Sequence, residues 1–372
     1  MKTIYFDNSA TTQIKSEVLN EMMPFLTRQY GNPSSLYSIG RESKRAIETA
    51  RKRVADLIKC NPNEIYFTAG GSESDNIALK GFVYANKEKG NHIITSKIEH
   101  SAVLESCRML QQQGFEVSYI NVDEKGRIKL DELENSIKPS TILISIMTAN
   151  NEIGTIQPIQ QIVEIAHKNN IIFHTDAVQA IGNMEIDVVK MGIDMLSISG
   201  HKINAPKGIG ALYIKNGVKV EKIVNGGHQE KDKRAGTENV AGIVGLGKAC
   251  EIANKNLETH IIYLTKLRDY YVKKIQKEMG DKIRINGTME NRLPGNANIS
   301  FEGIDSSKLI FKLDEKGICV SGGSACSSGS SLPSHVLLAI NTPEKYLNSA
   351  IRTTFGDNNT FEEIDYLIKC LK

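Results

Sequence analysis

Excess charge of either sign is nearly absent from the 372-residue sequence: 46 Lys and Arg face 43 Asp and Glu, a formal net charge of +3. A nucleic-acid-binding domain carries a larger or more clustered positive excess, so no direct nucleic-acid contact is expected. Long apolar runs are missing too. The longest, Ile142 to Met147 with one Ser inside it, has the length of a buried strand, far short of the roughly 18 residues a membrane helix needs. The opening Met1-Lys2-Thr3-Ile4-Tyr5-Phe6-Asp7 lacks the apolar stretch and small-residue cleavage site of a secretory leader. Six cysteines, at 60, 107, 250, 319, 326 and 370, form no C-x-x-C pair. Their spacing suggests neither a disulfide framework nor a zinc site, and no resident metal is expected. These absences point to a reducing, cytoplasmic setting in which a thiol can persist as a reagent. No G-x-G-x-x-G follows the first strand pattern, which disfavours a nucleotide-binding dehydrogenase.

What remains is ordinary globular composition, 40% hydrophobic and 24% charged, at a length that suggests two or three domains of ~150 residues. Helix and strand patterns alternate from about residue 15 to 215. Ile14, Val18, Leu19, Met22, Met23 and Leu26 fit one helix face, and Ile47, Val54, Ala55 and Ile58 another. Apolar strands are expected at 64–68, 92–96, 116–120, 141–148, 171–177, 194–199 and 208–214. Strands separated by helices predict an α/β unit with a mostly parallel seven-stranded sheet covered on both faces. After about residue 237 the pattern changes to two long helices, near 238–256 and 258–279, then shorter strands and helices. That predicts a smaller α+β domain. The expected division is 15–256 for the large domain, with 1–14 and 257–372 in the small one.

Several residues sit where α/β sheets place ligands, beyond the carboxyl ends of strands. Lys202, in Ser199-Gly200-His201-Lys202, is placed to lose its proton and form a Schiff base, although a strand-end Lys can also simply reach solvent. Asp176, leaving an apolar strand, needs a cationic or donor partner, unless it only caps a helix. Gly70-Gly71-Ser72 opens a helix whose free N–H groups suit a phosphate; a Gly-Gly turn is also a common helix start. His100 follows Glu99, Asn150-Asn151-Glu152 ends the most apolar strand, and Arg352 lies on an apolar strand. A buried Arg there needs a carboxylate, either structural or from a substrate. Together a Schiff-base Lys, an Asp for a pyridinium nitrogen, a phosphate turn and a flat imidazole are the parts pyridoxal phosphate requires.

From Tyr5-Phe6-Asp7-Asn8-Ser9-Ala10-Thr11-Thr12 to Arg352 the chain resembles a cysteine desulfurase of the NifS/IscS type, in the class V aminotransferase group of fold-type I pyridoxal-phosphate enzymes. The motifs are Gly31-Asn32-Pro33-Ser34-Ser35, Glu99-His100, Asn150-Asn151-Glu152-Ile153-Gly154, Ser199-Gly200-His201-Lys202, Arg234-Ala235-Gly236-Thr237 and Ser324-Ala325-Cys326. The resemblance implies that Lys202 holds the coenzyme and that Asp176 pairs with its pyridine nitrogen. It gives Gln179 the ring hydroxyl and stacks His100 on the ring. It assigns the phosphate to Gly71, Ser72, Ser199 and His201, with Thr237 reaching it from a second subunit of a homodimer. It places the substrate carboxylate on Asn151 and Arg352, and gives Asn151 a share of the coenzyme site. Cys326 takes sulfur from L-cysteine as a persulfide, leaving L-alanine. The sulfur then goes to an acceptor protein, an iron–sulfur scaffold or a tRNA-thiolation enzyme, so Cys326 can transiently serve an iron–sulfur cluster.

No charged residue stands between Gly317 and Ser334, so nothing nearby in sequence lowers the Cys326 thiol from its ordinary pKa of ~8.5. Cys107 and Cys319 read as structural thiols. Tyr37 stands where relatives often have His, and no catalytic role is placed there. The chain ends 20 residues after Arg352, whereas some relatives carry a longer tail for the scaffold. The competing readings are another class V activity, such as a selenocysteine lyase or an aminotransferase, and a catalytically silent scaffold. Retention of Lys202, Asp176, His100 and Cys326 argues against the scaffold.

Overall fold

The structure is a computed structural model that describes residues 3–323 and 333–372. Cys326 falls outside them. Along the chain the strands are β1 (Ile4–Tyr5), β2 (Ile65–Thr68), β3 (His92–Ser96), β4 (Glu116–Ile120), β5 (Thr141–Ser145), β6 (Ile172–Asp176), β7 (Met195–Ser199), β8 (Gly210–Ile214), β9 (Ile283–Ile285), β10 (Asn296–Phe301), β11 (Ile318–Cys319) and β12 (Ala350–Thr354). Seven of them form one sheet in the order β2-β8-β7-β6-β5-β3-β4. From β4 to β7 every neighbour is parallel, while β8 runs antiparallel to both β7 and β2. The expected mostly parallel sheet therefore carries one reversed strand, and β2 beyond it returns to the common direction.

Strand side chains alternate between two cores. Ile93, Leu143, Met195 and Leu212 pack on one face, and Ile94, Ile144, Phe173, Leu196 and Ala211 on the other. All residues of β3, β5, β7 and β8 are buried, as a sheet covered on both faces requires. The common direction brings the carboxyl ends of β2, β3, β5, β6 and β7 to one edge.

A third core, in the smaller domain, gathers Phe6, Leu267, Tyr271, Ile299, Phe301, Ile351 and Phe355 against the antiparallel sheet β12-β10-β9. The start of the chain joins it. β1 pairs in parallel with β11, and Asp7 bridges Thr354.

The structure corrects the sequence in two places. The two helices expected at 238–256 and 258–279 are one, Val240–Met279, about 60 Å long at 1.5 Å per residue. Its first part packs Ile243, Leu246 and Cys250 on the large core, and its last part packs Leu264, Leu267 and Tyr271 on the small one. The polar stretch between them is exposed where the helix passes from one core to the other, so it marks a bridge and not a break. In the helix Ser16–Thr27, Val18 and Met22 are buried but Leu19, Met23 and Leu26 are 42–58% exposed. The apolar face read from the sequence is wider than the core it meets.

Candidate active site

The chain leaves β2 at Thr68 and turns through Gly70, whose φ of +153° a side chain rarely adopts. The helix Gly71–Asn76 starts at once. A Cβ on Gly71 would stand 2.7 Å from Val178 Cγ2, so only glycine lets this turn press on the segment after β6. Ser74 Oγ lies 2.8 Å from Thr68 Oγ1 and donates to Ala211 O at 3.1 Å, fixing the helix start to the sheet. Ser72 is exposed there. N–H groups of a first helical turn have no intrahelical acceptor, and they suit an anion.

Asp176 ends β6, is 5% exposed, and accepts from Val178 N at 2.9 Å. Three residues on, Gln179 Nε2 donates to Ser9 O at 3.1 Å. Ser199 ends β7, buried, and the short turn Gly200–Lys202 follows. Lys202 Nζ donates to the carbonyl oxygen of Ser9 and, at 2.8 Å, to that of Ala10. Thr12 donates through N and Oγ1 to His201 O, at 2.9 and 2.8 Å. His201 Nδ1 lies 3.2 Å from Thr11 Oγ1. Burial, with Lys202 and Lys207 nearby, pushes the His201 pKa down to about 4. The Ser9–Thr12 segment thus closes over the turn that carries Lys202.

His100 caps the helix Ser101–Gln112: its Nδ1 accepts from Ala102 N at 3.1 Å. In the neutral ring the proton therefore sits on Nε2. Burial lowers the His100 pKa, a shift opposed by Asp176 and reinforced by Lys202. One nitrogen of His100 and one oxygen each of Asp75 and Asp176 lie within 4.8 Å of one another. Asp75 Oδ1 is buried without a hydrogen-bond partner. Burial, then the charge of Asp176, holds Asp75 well above the usual carboxylate range, and burial raises Asp176 while His100 and Lys202 lower it. Two carboxylates this close and this dry share a proton. Asp75 is the one that keeps it, because the basic group beside it, His174 Nε2 at 3.8 Å, is held neutral by burial, which pushes its pKa down to about 3. A metal on these three atoms would have to displace that proton.

Glu99 supports the neighbouring turn. Met147 N donates to both its oxygens at 3.0 Å and Ser96 Oγ to one at 2.5 Å. Burial still pushes its pKa up to about 8. Asn150 Oδ1 accepts from Glu152 N and Ile153 N at 2.9 and 3.0 Å, which shapes the turn holding Asn151.

Arg352, on β12, is 1% exposed. Its Nη1 donates to the backbone carbonyl of Asn151 at 3.1 Å, and its Nη2 to Asp7 Oδ1 at 2.8 Å. Of the two carboxylates the sequence left open for this arginine, the fold supplies a structural one.

Lys202, Asp176, Gln179, His100, Ser199, His201, Gly71 and Ser72 thus stand on the elements of one sheet edge, with Asn151 bound to Arg352 beside them. Thr237 is exposed, on the loop before Val240; in that loop Arg234 Nε donates to Glu73 Oε1 at 2.8 Å. Asp7, Asp75 and Glu99 were given no role by the sequence reading. Asp7 and Glu99 lay inside quoted motifs, whereas Asp75 looks in sequence like any acid in a first helical turn. Cys107 is buried and pushed up to about 12, and burial also raises the half-buried Cys319.

The sequence profile described as "Aminotransferase class-V" matches residues 4–367. The chain belongs to this family. It is 53% identical to the protein named "Cysteine desulfurase IscS" of Methanosarcina thermophila, over 99% of this chain and 91% of that one. The solved structure described as "NIFS-LIKE PROTEIN" superposes with a TM-score of 0.93 at 40% identity, covering 99% of this chain and 97% of the other. The structure described as "SspA in complex with cysteine" has a TM-score of 0.84 at 37% identity, covering 96% and 100%.

Proposed function

We propose that this class-V family member is a pyridoxal-phosphate-dependent cysteine desulfurase, which converts L-cysteine to L-alanine and keeps the sulfur as a persulfide on Cys326. The observation that carries the reading is the single sheet edge on which a Lys at the end of one strand, a buried Asp at the end of the next and an imidazole stand beside a Gly-Gly helix start. The fit to the coenzyme rests on those groups: an amine for its aldehyde, a buried carboxylate for its ring nitrogen, and N–H donors for its phosphate. When bound, the coenzyme supplies an electron sink for the carbon that loses sulfur.

The protein's own residues do the rest. Lys202 binds the coenzyme and moves a proton at Nζ. Asp176 holds a proton on the ring nitrogen, and the neutral Asp75 beside it leaves the charge on Asp176. Gln179 orients the ring hydroxyl. His100, neutral and with its Nε2 position fixed by the cap, covers the ring and can take or give a proton. Gly71, Ser72, Ser199 and His201 hold the phosphate, joined by Thr237 from a second copy of this chain in a homodimer. The exposed apolar side chains Leu19, Met23, Leu26, Tyr30 and Leu36 support such a twofold contact. Arg352 and Asn151 take the substrate carboxylate. The step balances as L-cysteine plus the Cys326 thiol giving L-alanine plus the persulfide. An acceptor protein or a thiol reductant then removes the sulfur.

Incubation of coenzyme-saturated protein with L-cysteine and excess dithiothreitol tests the reading. Alanine and sulfide should appear in equal amounts, and Cys326→Ser should abolish both while coenzyme remains bound. Formation of an oxo acid in place of alanine would replace this reading with an aminotransferase.

A further inference from the structure

Arg352 meets a carboxylate before any substrate arrives. Asp7 Oδ1 sits 2.8 Å from Nη2, and Asp7 Oδ2 accepts from Ser321 Oγ at 3.1 Å. Backbone fixes all three residues. Asp7 bridges Thr354 and Ser321 bridges Arg352 itself, with hydrogen bonds running both ways between Ser321 and Arg352. Asp7 and Ser321 are thus held against the strand that carries the arginine. The guanidinium is not saturated. Nη1 uses one proton on Asn151 O, and Nε is buried with no hydrogen-bond partner. A guanidinium carries five N–H donors, so donors remain for a second carboxylate while Asp7 stays in place.

The geometry points to Asp7 as a resident carboxylate that shares Arg352 with the substrate, orienting the guanidinium between turnovers and weakening its hold on the carboxylates of cysteine and alanine. Asp7 is a positioning residue, since it acts through Arg352. A buried Arg stripped of its acid is strongly uncompensated, and a ligand carboxylate would restore the balance. The site with Asp7 intact is already neutral, so ligand binding recovers less. The two carboxylates also repel across the shared cation. The consequence is faster release of alanine at the cost of a higher KM.

This inference rests on the proposed desulfurase reading for its substrate, and its test separates the two. Asp7→Asn keeps an oxygen acceptor for Nη2 and removes only the charge. In the coenzyme-saturated protein this variant should lower the KM for L-cysteine and the inhibition constant of L-alanine together, by about 5- to 10-fold, with kcat falling as product release slows. Without ligand it should melt below the parent, and L-alanine should raise its melting temperature more than the parent's. Ser321→Ala, which removes the support on Oδ2, should move both constants in the same direction by about 2-fold, and serves if Asp7→Asn does not fold. A raised KM with weaker alanine binding would overturn the inference, because Asp7 would then only hold the arginine in place. Unchanged constants would overturn it as well. If the parent released no alanine from cysteine, the desulfurase reading would fall. The inference would still stand or fall on whether L-alanine stabilises Asp7→Asn more than the parent.

Discussion

Two charged regions flank the same site and manage charge in opposite ways. At the sheet edge, Asp75, Asp176 and Glu99 are buried and His100 is partly buried beside them, and the structure handles their charge with protons: the carboxyl pKa values rise and that of His100 falls. At the β12 corner, Arg352 cannot lose its proton, so its charge is met by a fixed carboxylate, Asp7. The first region can exchange protons with a bound cofactor without moving. The second can only exchange partners. Proton chemistry is therefore expected from the edge and carboxylate recognition from the corner.

The strongest test of that division is at the edge. Lys202→Ala should reduce alanine formation by more than about 10⁴-fold with the fold retained, as judged by circular dichroism. Release of alanine at the parent rate would remove Lys202 from the chemistry. Asp176→Asn should come next, with kcat down by about 10²- to 10³-fold and KM changed far less, because the site would lose the charge that keeps the ring nitrogen protonated. Equal losses in kcat and in coenzyme retention would make Asp176 an anchor only.

At the corner the pattern should invert. Arg352→Ala should raise KM by about 10²-fold with a smaller effect on kcat, and should also destabilise the protein by about 2 to 3 kcal/mol, because it removes a buried guanidinium and leaves the partly buried Asp7 without its cation. Steady-state kinetics and urea unfolding read the two effects separately, and a KM equal to the parent's would assign Arg352 to structure.

The smallest effect is a pH dependence at the edge. Glu99 has a folded pKa of about 8 against 4.5 for the free side chain. Between those values the folded state binds the additional proton, so this group's contribution is intact below about pH 4.5 and is lost as pH rises through about 8. Glu99→Gln carries no such proton, and its melting temperature should gain on the parent's as pH rises across that window. A constant difference would show that Glu99 does not titrate there.

Much of the edge was legible in the sequence because strand ends announce themselves locally. The segments before Asp176, Ser199 and Asn150 are mostly apolar and carry no Asp, Glu, Lys or Arg after residue 170, 194 or 138 respectively, so the polar or charged residue at the end of each stretch stands out. Asp75 was not legible. It lies in a helix start that reads as polar, and only the packing of that helix over β7 and β8 dries it out. The helix Val240–Met279 was misread as two for a related reason: a polar stretch interrupts a helix pattern in the same way whether the helix ends or merely crosses from one core to another.

The sequence by itself determined the chemistry available: which strand ends carry an amine, a carboxylate and an imidazole, where glycine opens a helix, and that the chain resembles a family built on those parts. Only the tertiary structure decided which charges would be dry and which would be paired. Asp7 and Arg352 are 345 residues apart, and their meeting depends on the segment after the first strand bridging the last strand at Thr354. Burial and pairing depend on what closes over a residue, and for both Asp75 and Arg352 those neighbours come from distant parts of the chain.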